Sequence, residues 1–141
     1  KLILPNSKIV HCYRDPKDNC FSIYKNHFPK GKINYSYDLK NIVEYYNLYN
    51  DLMKHWNNFF SDSIFNINYE DLINKTEENV RDMLNFCNLK WDTKCLNFHN
   101  NTRIIKTASD VQVRNKIYSS SVGIWKNYKN NLEIYFNKLI D

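Results

Sequence analysis

Apolar positions fall into blocks whose spacing alternates between strand-like and helical, and the breaks are made by Pro, Asp, Asn and Ser more than by glycine, which occurs only twice. The first block, Ile9 to Tyr13, is short, opens on β-branched residues and reads as a buried strand. Arg14-Asp15-Pro16 breaks it. Proline fits the first turn of a helix, where its missing N–H has no partner in any case, and Asp15 or Asp18 can accept from the free N–H groups there. A helix therefore follows with almost no loop. After Pro29-Lys30-Gly31, the longest helical pattern runs from Tyr35 to Phe60, with Leu39, Ile42, Val43, Tyr46, Tyr49, Leu52, Met53, Trp56 and Phe60 recurring every three or four residues as one core stripe. Ser61 to Ser63 ends it, and Ile64 to Tyr69 reads as a second strand, leading into Glu70-Asp71-Leu72. A strand, a helical crossover and another strand imply a parallel pair in a right-handed unit.

The later segments read as scaffold. Thr76, with Glu77 and Glu78 behind it, is placed as the cap of a helix whose buried face is Val80, Met83, Leu84 and Cys87 and which stops at Asn88-Leu89. Asp92 or Thr93 opens a short helix through Phe98. Val122 to Tyr128 leads into a last amphipathic helix with Leu132, Tyr135, Phe136 and Leu139 on its apolar face. The fold class is α/β.

Composition narrows the function. The 141 residues suit one domain, and 20 basic against 15 acidic residues give a net charge of +5, which favours an anionic partner. The lysines are scattered instead of lying on one stripe beside stacking aromatics, which argues against nucleic acid. Only four residues are arginine: Arg14, Arg81, Arg103 and Arg114. No apolar run is long enough for a signal peptide or a membrane span. Cys12, Cys20, Cys87 and Cys95 form no C-x-x-C pair and have no histidine at zinc spacing, so they read as reduced, structural thiols in a cytoplasmic protein without a metal. His55 sits on a helix surface and is assigned no chemistry.

The chemistry-bearing stretch is Lys8 to Phe28. Its turn leaves the positive end of a helix beside Arg14, whose fork of donors matches a phosphate, and Ser22 lies a turn further along, on side chains that lean back toward that end. Together they make an anion site. Arg14, Pro16, Asp18, Ser22 and Tyr24 in this spacing resemble the 3'-phosphate-binding strand-loop-helix of sulfotransferases. The resemblance implies that Arg14 and Ser22 hold the 3'-phosphate of 3'-phosphoadenosine 5'-phosphosulfate (PAPS). Tyr69-Glu70-Asp71-Leu72 is similar to a motif in which the tyrosine lies near the adenine, at a strand end of the kind where α/β proteins place ligands.

A second signature, Thr107-Ala108-Ser109-Asp110-Val111-Gln112-Val113-Arg114 with Tyr118 and Val122-Gly123-Ile124-Trp125-Lys126, resembles the carboxyl-terminal segment of bacterial, tetratricopeptide-repeat-linked relatives of tyrosylprotein sulfotransferases. It implies a loop closing over the nucleotide through Arg114 and Tyr118, with Ser109 near the transferred group. Two departures stand out. Asn115-Lys116 replaces the family's x-Pro, and Ile124 stands where a basic residue is usual, followed by Lys126, which can supply that charge. The glycine-rich 5'-phosphosulfate loop and the general base have no counterpart in the 141 residues. The resemblance thus implies the carboxyl-terminal part, residues 1–141, of a single P-loop-type parallel-sheet domain, here with about two strands and several helices, inactive alone. The implied reaction moves a sulfuryl group from PAPS to a hydroxyl of a protein tyrosine, carbohydrate or small molecule, without a metal. Two other readings of the framework stay open: a nucleotide kinase-like phosphoryl transferase, and a noncatalytic module binding anions or nucleic acid.

Overall fold

Ile9–Tyr13 (β1) and Ile64–Asn68 (β2) pair in parallel, with Ile9 opposite Ile64 and Tyr13 opposite Asn68 in an unbroken register. The computed structural model describes residues 3–28, 31, 33–101 and 114–140. Within them lie α1 (Pro16–Lys25), α2 (Leu39–Phe59), α3 (Tyr69–Asn74), α4 (Thr76–Phe86) and α5 (Lys129–Phe136), with 3₁₀ segments at Asn34–Tyr37, Ser61–Ser63, Thr93–Asn100 and Ile124–Tyr128. The fold is mixed α/β, with a two-stranded parallel sheet and several helices. The chain forms two units: Lys1–Tyr13 with Ser63–Ser120, and Arg14–Asp62 with Ser121–Asp141.

In the sheet unit, Ile64 and Ile67 are buried on β2. Phe65 packs its ring against Phe86 of α4 at 5.4 Å, and Lys8 Nζ lies 4.6 Å from the centre of the Phe86 ring. The apolar cover therefore goes to β2. Contrary to the expectation of a buried strand, Ile9, Val10, Cys12 and Tyr13 of β1 are all exposed. β2 ends one residue earlier than its pattern suggests, because the Asn68 side chain accepts from Asp71 N–H at 2.9 Å and starts α3 at Tyr69. Thr76 is not a cap: its hydroxyl donates back to the Leu72 carbonyl at 2.8 Å, and Lys75 precedes α4. The end of α4 is as expected from Asn88-Leu89. Asn88 takes a left-handed φ of 57°, with Leu89 N–H on the Leu84 carbonyl and Asn88 N–H on the Asn85 carbonyl.

In the helical unit, Cys20 and Phe21 of α1, Ile42 and Val43 of α2, and Leu132 and Phe136 of α5 form the core. α2 begins at Leu39, later than Tyr35, because the Asp38 carboxylate accepts from the N–H groups of Lys40 (2.7 Å) and Asn41 (3.1 Å). The first half of the expected stripe is buried or packed on the core, through Ile42, Val43 and Tyr46, whereas Leu52 and Trp56 further along are exposed. Asn47 fastens the chain after α5, donating to the Lys138 carbonyl at 2.8 Å and accepting from Ile140 N–H at 3.0 Å, while Asn50 donates to the Ile140 carbonyl at 3.0 Å. Among the described residues, no helix is long and apolar enough to cross a membrane.

Candidate functional site

The start of α1 is built by two carboxylates with separate tasks. Asp15 is the cap, its side chain accepting from Asp18 N–H at 2.9 Å, and Pro16 occupies the first helical position. That leaves the Asp18 side chain available for another partner. It is 1% exposed and accepts from the backbone N–H groups of Gly123 and, at 3.3 Å, of Trp125. Arg14 Nη2 lies 3.8 Å from Asp18 Oδ2 and donates to the Ser121 carbonyl at 2.8 Å. A charge buried this deeply is held by hydrogen bonds and an opposite charge, as desolvation requires.

Gly123 has a φ of 72°, a left-handed conformation that costs a side chain about 1 kcal/mol. The nearest atoms a Cβ there would meet belong to the Lys126 side chain, at an ordinary 3.7 Å, so backbone conformation rather than lack of room favours glycine. Lys17 Nζ sits 4.7 Å from the centre of the Trp125 ring, adding a second tie from α1 to this segment.

Of the residues expected to act, the helical unit holds Arg14, Ser22 and Lys126. Ser22 is half-buried on α1, four residues after Asp18 and hence on the same face. Lys126 is exposed in the 3₁₀ segment Ile124–Tyr128. The sheet unit holds Tyr69, Arg114 and Tyr118. Tyr69 and Tyr118 come together, the Tyr69 hydroxyl lying 3.5 Å from the Tyr118 carbonyl, while Arg114 is exposed and donates to the Asn101 carbonyl at 3.0 Å. Ser109 lies outside the described residues.

Beside the Arg14 turn, burial and, next, the Asp15 charge push the Cys20 thiol up to about 12, so it stays protonated and serves packing. Cys12, by contrast, is exposed on β1 and is not the small buried hydrophobe its strand suggests. Among the described residues, no group of three or more His, Cys, Asp or Glu side chains is arranged to hold a metal ion. What the sequence did not disclose is the task of Asp18. Its pairing with Arg14 four positions away could have been read from helical spacing, but its contacts with Gly123 and Trp125, 105 and 107 positions along, could not.

A family model described as the sulfotransferase family matches residues 1–93. An uncharacterised protein of Aquifex aeolicus (strain VF5) is 35% identical over 130 residues, covering 91% of this chain and 17% of its own length. The chain thus spans about a sixth of that relative.

Proposed function

The chain belongs to the sulfotransferase family, and we propose that it supplies the nucleotide-holding part of an enzyme that moves a sulfuryl group from PAPS to an acceptor hydroxyl, releasing adenosine 3',5'-bisphosphate. The observation that carries this reading is the Arg14 guanidinium, fixed beside the start of α1 by Asp18 and the Ser121 carbonyl, with Ser22 on the same helix face. A guanidinium at a helix start suits a phosphate monoester, because the fork of donors and the helix end act on the same anion. In this reading Arg14 and Ser22 hold the 3'-phosphate, Tyr69 lies on the adenine side, Arg114 and Tyr118 belong to the closing loop, and Lys126 supplies the charge that Ile124 lacks. Ser109 stands near the transferred group. In-line transfer needs positioning and charge stabilisation more than covalent chemistry from the protein.

The same reading makes the 141 residues the carboxyl-terminal part of a P-loop-type domain whose phosphosulfate loop and general base come from elsewhere in a longer protein. The exposure of Ile9, Val10, Cys12 and Tyr13 supports it, since parallel sheets in such folds are covered on both faces. Sulfuryl transfer by the isolated chain would overturn this part.

The direct test is calorimetry of adenosine 3',5'-bisphosphate binding to the full-length protein. Charge-assisted hydrogen bonds contribute about 1.5–3 kcal/mol, so Arg14→Ala is expected to weaken binding roughly ten- to a hundredfold. Unchanged affinity removes Arg14 from the site. Arg14→Lys keeps a charge beside Asp18 and separates loss of the fork from loss of the fold.

A further inference from the structure

Asp18 occupies a position where an acidic side chain ordinarily serves its own helix, in the first turn, yet Asp15 already does that. Instead, the Asp18 carboxylate takes the N–H groups of Gly123 and Trp125, and Arg14, 3.8 Å away, takes the Ser121 carbonyl. One buried anion and one cation thus gather alternate backbone groups of the segment 121–125, two donors to the carboxylate and one acceptor to the guanidinium. The left-handed Gly123 turn presents its N–H to this centre.

We propose that Asp18 is a positioning residue for 3'-phosphate recognition: it fixes the orientation of the Arg14 guanidinium and locks segment 121–125 to α1, although as an anion it is not itself a ligand. The inference rests on the sulfuryl-donor reading above. An arginine side chain has many rotamers, and a phosphate fork is useful only in one narrow orientation; a guanidinium held in advance loses less freedom when the ligand arrives. The carboxylate also offsets part of the arginine charge, so a generic anion gains little there, while a monoester that fits the fork gains its directed hydrogen bonds.

The test uses the full-length protein and calorimetry with adenosine 3',5'-bisphosphate and with 5'-AMP, which lacks the 3'-phosphate. Wild-type protein that does not prefer the bisphosphate refutes the sulfuryl-donor reading itself, whatever Asp18 does. Given that preference, Asp18→Asn is expected to reduce it by about tenfold while AMP affinity moves less than about threefold, and in the Arg14→Ala background the same change is expected to add no further loss, because both act through one guanidinium. A preference retained in Asp18→Asn, or losses that multiply in the double variant, overturns the inference. Should Asp18→Asn fail to fold, Gly123→Ala strains the turn while leaving both charges in place. It is expected to lower the preference by about threefold or more, and an unchanged preference overturns the inference equally.

Discussion

The helical unit and the sheet unit draw on the same kinds of apolar residues but cover them differently. In the helical unit, α1, α2 and α5 each contribute two side chains to one core, and Ile42 within it is 1% exposed. In the sheet unit, β2 buries Ile64 and Ile67, while Val10 on β1 is 40% exposed. Three amphipathic helices can close a core on one another, because each needs to cover only a stripe. A parallel strand has two faces, and a two-stranded sheet with helices on β2 leaves much of β1 in water. The difference teaches that three helix stripes suffice to close the core of the helical unit, whereas the pairing of β1 with β2 leaves apolar side chains of β1 exposed.

The largest effects should separate these two situations. Ile42→Ala is expected to destabilise the chain by about 2–5 kcal/mol, as cavities at fully buried aliphatic positions do, whereas Val10→Ala costs less than about 1 kcal/mol. Urea denaturation measures both, and equal losses would erase the contrast. Repeating Val10→Ala in a longer protein sharpens it: a cost several-fold higher there is what the carboxyl-terminal reading expects.

A second contrast is chemical. Cys20 in the helical core holds its proton up to about pH 12, against a reference of 9.0, while the unfolded chain releases it near the reference value. Stability contributed by the buried thiol is therefore intact below pH 9 and falls as pH rises from 9 toward 12. The decline between pH 8 and 10.5 should be shallower for Cys20→Ala, and alkylation of the native protein should mark exposed Cys12 long before Cys20. Rapid native labelling of Cys20 would contradict its burial. The smallest effect belongs to the sheet unit's surface. Arg81 places Nε and Nη2 on Glu77 Oε1 at 2.9 and 2.6 Å and stacks 3.9 Å from the centre of the Trp91 ring, but the side chains of the ion pair are about half exposed. Water and salt screen such a pair, so Arg81→Ala should cost only about 0.5–1 kcal/mol in the same denaturation series.

Local chemistry was the legible part of this fold. The β-branched run at Ile9 and the proline at position 16 marked β1 and the start of α1, and Asn88 marked the end of α4 through its tolerance of positive φ. Boundaries shifted where a capping side chain outweighed apolar spacing: Asp38 delays α2, and Asn68 advances α3. The coverage of β1 could not be read, because spacing shows that a strand is apolar and not whether anything packs on it. At the candidate site, Arg14 and Ser22 stood out through residue type and spacing. The second role of Asp18 did not, since it depends on backbone groups more than 100 positions away that only the tertiary fold brings near.

The amide of Asn47 carries one further consequence. Because a single side chain both gives to the Lys138 carbonyl and takes from Ile140 N–H, it mimics a neighbouring strand for two peptide groups at once. Peeling that tail from α2 breaks these bonds together, so Ile140 N–H should exchange with solvent deuterium as part of a cooperative opening and not by fraying residue by residue.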